Sequence, residues 1–200
     1  VKRRIIGLTG GIACGKSTVS DYLSRRYGLP VLDADLYARS AVAIGSPILK
    51  RIFDRYGESV RNDDGSLNRE KLGEIVFRDL DEKKWLESQI HPYVRQCFET
   101  EVKSIPSEVV VFSIPLLFEA RLTGTVTEIW VVYCSRDEQI RRITRRDRLS
   151  AEQAIARIDS QMPIEEKIAL GDVILDNSNS VDGLYEQVDR AIQPILSLTS

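Results

Sequence analysis

The stretch Gly10-Gly11-Ile12-Ala13-Cys14-Gly15-Lys16-Ser17 fits the spacing G-x-x-x-x-G-K-[ST]. That spacing carries meaning only between a strand and a helix, and both flanks comply. Arg4–Thr9 is a short, nearly continuous apolar run that reads as a buried strand, and Val19, Leu23 and Tyr27 recur at helical spacing after the loop. A phosphate chain needs close backbone approach and several N–H donors, which glycine allows because it has no Cβ. The helix opening near Lys16 adds the positive end of its dipole. In that setting Lys16 neutralises the β- and γ-phosphates of a nucleotide and the Ser17 hydroxyl ligates Mg2+. Gly11, Ala13, Cys14, Gly15, Lys16, Ser17 and Thr18 are the expected nucleotide contacts. Cys14 has two readings: a small loop residue contributing its backbone N–H, or a thiol made acidic by a helix N-terminus.

Outward from the loop, Leu29–Asp33, Val109–Ile114, Glu128–Cys134 and Asp172–Asp176 also read as buried strands. Helical patterns lie between them. Ser135 to Glu138 and Ser150 to Gln153 have the spacing of capping boxes, and Leu184, Val188, Ile192 and Ile195 outline a closing helix. The predicted fold is α/β, a doubly wound parallel five-stranded sheet around a phosphate loop. Between Asp35 and Glu108 lies more chain than a crossover helix requires, with a turn at Asn62-Asp63-Asp64-Gly65. This is read as a helical insertion (about 45–105) in a single domain whose core is 1–44 and 106–200, with a lid at about 141–161.

Composition narrows the class further. The chain has 200 residues, 42% hydrophobic and 29% charged, with 12 Gly and 7 Pro, which excludes collagen-like, disordered and cystine-rich folds. Its 28 basic and 30 acidic side chains give a net charge of −2, against bulk polyanion binding. Cys14, Cys97 and Cys134 lack metal-like spacing and His91 is the only histidine, which argues against zinc and for a reducing compartment. The start, Lys2-Arg3-Arg4 followed by Ile5–Leu8, has too short an apolar run for a signal peptide. The apolar stretch around Val109–Ala120 contains Pro115 and falls short of the roughly 18 residues of a membrane span. The expectation is a cytoplasmic protein, a monomer or weak homo-oligomer, with no nucleic acid or membrane partner.

Three features bear on the chemistry. No Asn-Lys-x-Asp guanine reader is present, and Asp54-Arg-Tyr-Gly57 sits in a helical pattern, which speaks against a GTPase switch. Asp33-Ala34-Asp35 directly follows the second strand. An acid there can accept or orient the proton of an attacking hydroxyl, or cap the next helix; Asp33 is assigned to the site and Asp35 to the cap. Arginines gather at 141, 142, 145, 146 and 148. They read as a lid over a transferring phosphoryl group, an RNA-binding stripe or a solvated face, with Arg142 and Arg146 chosen as functional.

Taken together, the chain closely resembles the dephospho-coenzyme A kinase family from Ile5 to Ile192. The resemblance rests on Leu8-Thr-Gly-Gly-Ile12 with Gly15-Lys-Ser-Thr18, on Asp33-Ala-Asp35 and on Gly45-Ser-Pro47. It extends through Asp64-Gly-Ser-Leu-Asn-Arg69, Val76-Phe77, Ile90-His-Pro92 and Ile114-Pro-Leu-Leu-Phe-Glu119, then Arg146-Asp147, Arg157-Ile158, Gln161, Glu166-Lys167 and Asp176-Asn177. The resemblance implies transfer of the γ-phosphoryl group of Mg2+-ATP to the ribose 3′-hydroxyl of dephospho-coenzyme A. It also implies that the insertion binds the acceptor and that Asp33 stands near the hydroxyl. It puts Thr9, Arg69, His91, Leu116 and Phe118 with the substrate. From the residues alone, His91 reads instead as a packing or capping histidine at a helix start, and Leu116, Leu117 and Phe118 as core. Two positions depart from the family pattern: Ser113 stands where an acid is usual, and Ala13-Cys14 replaces a Gly-Ser pair. The competing functions are another small phosphate-loop kinase, acting on a nucleoside or nucleotide, and a nucleotide-gated RNA-associated protein.

Overall fold

The computed structural model describes residues 3–197, so Lys2 of the basic start lies outside it. The chain divides into two compact units, Val1–Leu32 with Ile105–Ser200, and Asp33–Ser104. The second unit opens at Asp33, so residues 34–44 group with the helices, where the sequence reading had put them with the sheet.

The first unit is built on five strands, β1 (Arg4–Gly10), β2 (Val31–Asp33), β3 (Val109–Ser113), β4 (Glu128–Tyr133) and β5 (Val173–Asp176), in the order β2-β3-β1-β4-β5. Each falls within a residue or two of its predicted bounds. β2 starts late because Pro30 has no N–H to give a ladder; its carbonyl instead accepts from Val111 N–H at 2.9 Å. β1 runs parallel to both β3 and β4. Strand order therefore reverses beside β1, and the crevice at such a switch point is where open α/β sheets bind ligands. Every residue of β3 is buried, as a strand covered on both faces must be.

Helix α1 (Lys16–Tyr27) packs with the closing helix on this sheet, Leu23, Leu184, Val188 and Ile192 lying in one core with Ile6, Leu8 and Trp130. Each such side chain contributes about 1.5–3 kcal/mol by burial. Gly28 ends α1 in the left-handed region (φ 65°), returning its N–H to Ser24 O, a conformation in which a side chain would be strained. Tyr22 and Tyr27 both donate to Asp189 Oδ1, at 2.8 and 2.7 Å, on the closing helix.

In the second unit lie α2 (Ala34–Ala41), α3 (Pro47–Tyr56), α4 (Arg69–Arg78) and α5 (Leu80–Ser104). Leu49, Ile52, Val60 and Leu72 make its own core. Arg55 forks onto Glu82 at 2.7 and 2.8 Å and lies 4.6 Å over the Trp85 ring, fastening α3 to α5. The predicted turn is present, Gly65 (φ 81°) donating to Asn62 O.

Two local readings need correction here. Asp33, rather than Asp35, caps α2: its Oδ1 accepts the Asp35 N–H at 2.8 Å, because the cap is the last extended residue and Asp35 is already helical. His91 and Pro92 lie in the interior of α5 instead of at a helix start. Pro92 cannot donate to Ser88 O, a loss of a few kcal/mol that tertiary packing of a 25-residue helix outweighs.

The first unit continues with α6 (Arg136–Asp147), α7 (Ala151–Asp159), α8 (Ile164–Ala169) and α9 (Val181–Ser197). Ser150 and Gln153 form a full capping box. Ser135 forms half of one. It accepts from Glu138 N–H, but its own N–H goes to Ser178 Oγ and the Glu138 carboxylate turns to arginines.

Candidate active site

The phosphate loop leaves the central strand at Gly10 and becomes helical at Lys16. A Cβ at Gly10 would collide with Val132 O, and one at Gly15 with Asn177 Nδ2. Gly15 also sits at φ 97°. Both glycines are therefore required by contact, the second also by backbone conformation. Ala13 takes φ 59° without being glycine, a strain of about 1–2 kcal/mol.

Side chains from outside the loop hold its carbonyls in sequence. Gln139 Nε2 donates to Ile12 O (2.9 Å), Arg142 Nη1 to Ala13 O (3.3 Å) and Asn177 Nδ2 to Cys14 O (2.8 Å). Two loop amides are also spoken for: Ile12 N–H donates to Gln161 Oε1 (3.1 Å) and Cys14 N–H to Gly11 O (3.2 Å). In this structure the Cys14 N–H, expected from the sequence to meet a phosphate, is turned to Gly11 O. The first turn of α1, whose N–H groups have no intrahelical partner, presents that edge instead. Ser17 is exposed there and Lys16 is half-buried.

Lys16 Nζ donates to Ser113 Oγ at 2.5 Å, and Ser113 is fully buried. The serine that replaces an acid thus still meets the loop lysine, as a neutral acceptor. Thr9, expected to meet substrate, is also fully buried. Its hydroxyl donates to Pro115 O at 3.0 Å, so in this structure it ties down the turn after β3. The same carbonyl accepts from Lys167 Nζ (3.2 Å), a cation with no exposure that pairs with Glu119 Oε1 at 2.9 Å. Glu119 Oε1 also accepts from Met162 N–H. On the turn, Leu117 is core, whereas Leu116 and Phe118 stay half-buried.

Three arginines of the cluster, Arg141, Arg142 and Arg146, stand in ion pairs. Glu138 takes both Arg141 and Arg142 at 2.6 Å, and Asp147 takes Arg146 at 2.7 Å and Arg157 at 3.1 Å. Hydrogen bonds from Arg141, then Arg142, bring the Glu138 carboxyl down to about 2. Arg142 also donates to Asn177 O at 2.9 Å, so it braces the loop from behind instead of waiting in an open lid. Arg146 is exposed.

In the second unit, Arg69 is exposed at the first position of α4 and His91 is half-buried on α5. Burial lowers the His91 pKa, partly offset by Glu87, which keeps the ring neutral at pH 7. A cavity of about 540 Å³ lies beside it, lined by Pro92, Arg95, Gln96 and Glu99.

A family profile for dephospho-CoA kinase matches residues 4–183. The chain belongs to the dephospho-CoA kinase family. A dephospho-CoA kinase of Trichormus variabilis is 55% identical over 190 residues, covering 95% of this chain and 97% of the relative. Among solved structures, a Thermus thermophilus protein superposes with a TM-score of 0.83 at 36% identity, each chain covered in full. Dephospho-CoA kinase from Campylobacter jejuni gives 0.72 at 31%, with 98% of each chain covered. Asn177 and Gln161, two of the positions that carried the resemblance, are side chains that grip the phosphate loop here. Gln139 as a loop anchor had no signal in the sequence, and for Asn177 and Lys167 the resemblance marked the position without the anchoring role. Each is a single buried polar residue whose partner is a carbonyl distant along the chain.

Proposed function

We propose that this chain transfers the γ-phosphoryl group of ATP to the ribose 3′-hydroxyl of dephospho-coenzyme A, giving coenzyme A and ADP. The observation that carries the reading is a phosphate loop opening α1 at the carboxyl end of the central strand, in a chain similar to dephospho-CoA kinases along nearly its whole length.

Lys16 and the N–H groups of Gly15, Lys16, Ser17 and Thr18 take the phosphates, with Gly11, Ala13 and Cys14 shaping the loop. Among the described residues no cluster of three or more His, Cys, Asp or Glu side chains could hold a metal. That fits Mg2+, which keeps its waters and binds chiefly through substrate phosphates with one or two protein oxygens. Ser17 would supply such an oxygen, and the cation would neutralise charge on the phosphates. Asp33 takes or orients the proton of the acceptor hydroxyl; capping α2 leaves a carboxylate with further acceptor sites. Arg146 supplies positive charge to the transferring group, and Arg142 holds the loop that does the same. Arg69, His91, Leu116 and Phe118 are assigned to the acceptor, and Asp33–Ser104 is read as the acceptor-binding unit.

Two observations weigh against the other readings. Three arginines of the stripe, Arg141, Arg142 and Arg146, are engaged by Glu138 and Asp147, which leaves less of it for RNA. The family-wide similarity disfavours a nucleoside or nucleotide acceptor. Among the described residues no helix is long and apolar enough to cross a membrane. The reading places the chain in the cytoplasm, as a monomer or weak homo-oligomer. Asp33→Asn tests the central assignment. ATP affinity should persist while kcat falls about 10²–10⁴-fold, the usual worth of a positioned base; near-normal kcat would remove Asp33 from the chemistry.

A further inference from the structure

In the first unit two thiols face each other behind the phosphate loop. Cys134 Sγ–H donates to Cys14 Sγ at 3.5 Å, and both residues are free and buried. Cys14 is in the loop, and Cys134 immediately follows β4. A cavity of about 390 Å³ reaches Cys134, lined also by Gly11, Ser135, Gln139, Gln161 and Pro163 among others. A Cβ at Gly11 would lie 2.9 Å from Cys14 Sγ, so that glycine makes room for the sulfur.

We propose that Cys14 and Cys134 form a reversible disulfide with hydrogen peroxide as the oxidant, and that the bond disables the phosphate loop. The sulfurs need to close from 3.5 Å to about 2.05 Å, a shift of about 1.5 Å. Cys14 first gives its proton to solvent; Cys134, which borders the cavity, then passes its own proton to the Cys14 thiolate and attacks a peroxide oxygen. The O–O bond breaks, hydroxide leaves and Cys134 becomes a sulfenic acid. That hydroxide takes the Cys14 proton as water, and Cys14 attacks the sulfenic sulfur. The S–O bond breaks, the S–S bond forms, and the second oxygen leaves as hydroxide, protonated to water. Two thiols and one peroxide give one disulfide and two waters; the sulfurs lose two electrons and the peroxide gains them.

The surroundings favour the resolving step. The hydrogen bond from Cys134 lowers the Cys14 pKa against the opposing effect of burial, with the Arg142 charge assisting, and the same bond raises that of Cys134. Drawing Cys14 toward Cys134 pulls on two bonds that set the loop, Cys14 N–H to Gly11 O and Asn177 Nδ2 to Cys14 O. Displacements of about 1 Å at a reacting centre cost up to about 10²-fold.

The activity consequence rests on the ATP-site reading; the disulfide itself does not. The full chain is treated with hydrogen peroxide, quenched with catalase, and mapped by non-reducing peptide mass spectrometry beside kinase turnover. The expected result is a Cys14–Cys134 linked peptide two hydrogens lighter than its halves, with kcat/KM for ATP down about ten- to a hundredfold and restored by dithiothreitol. Cys134→Ser should keep its starting activity and resist the loss, and Cys97→Ser should behave as the parent. If no linked peptide forms in the parent protein, or if it forms and turnover is unchanged, the proposal is overturned. Equal inactivation of Cys134→Ser would overturn it too. An active protein without the linkage refutes only the disulfide, whereas an untreated protein without turnover refutes the ATP-site reading.

Discussion

Replacing Lys167 by methionine removes a cation with no solvent exposure while keeping most of its volume. Two partners lose it: Glu119 Oε1 at 2.9 Å and Pro115 O at 3.2 Å. Pro115 O keeps Thr9, so the larger loss falls on Glu119, whose Oε2 is already buried without a protein partner. Breaking a buried pair from one side costs about 3–5 kcal/mol. The Glu119 side chain is 24% exposed and can take up water or a proton, which reduces the expectation to about 2–4 kcal/mol. Glu119→Gln keeps an acceptor for Met162 N–H and should cost about 1–2 kcal/mol. In the double variant the neutral glutamine no longer waits for a cation, so the pair should show a coupling of about 1–3 kcal/mol. The assay is urea unfolding followed by Trp130 fluorescence in a Trp85→Phe background, because the two tryptophans fall in different units. A coupling below about 0.5 kcal/mol, with Lys167→Met near parent stability, would refute the anchoring of the turn after β3 by this pair.

Three further outcomes follow from the loop. Asn177→Asp is nearly isosteric but turns an acceptor toward Cys14 O, so stability should fall by about 2–4 kcal/mol and the KM for ATP should rise, read by denaturation and steady-state kinetics. Ala13→Gly relieves the left-handed alanine and should raise the unfolding free energy from urea denaturation by up to about 1 kcal/mol after glycine's own entropy, with ATP affinity unchanged. The Glu138 carboxyl, held down to about 2 by Arg141 and Arg142, favours the folded state above its unfolded pKa of about 4.3. That contribution is lost as pH falls from about 4.5 toward 2, so Glu138→Gln should flatten the acid limb of stability measured against pH.

How far the sequence reached depended on whether a residue's meaning was local. The strands were legible because parallel strands buried on both faces carry unbroken apolar runs, as Val109–Ser113 does. The phosphate loop was legible because its glycines keep a fixed spacing to Lys16 and Ser17 between a strand and a helix. The cap of α2 was placed on Asp35 and falls on Asp33, because a cap differs from the first helical turn by one residue of backbone, which spacing alone does not resolve. His91-Pro92 looked like a helix start, since proline favours the first turn, and only the packing of α5 shows otherwise. The arginine cluster could not be separated into brace and exposed group, because the partners of Arg142 lie at positions 13 and 177.

The most direct measurement supplies the folded protein with Mg2+-ATP and dephospho-coenzyme A and follows the acceptor by mass spectrometry. The account predicts a product heavier by one phosphoryl group, ADP in equal amount, and loss of both with Lys16→Ala. Folded protein that yields no such product, or that passes the phosphoryl group only to water, would contradict it.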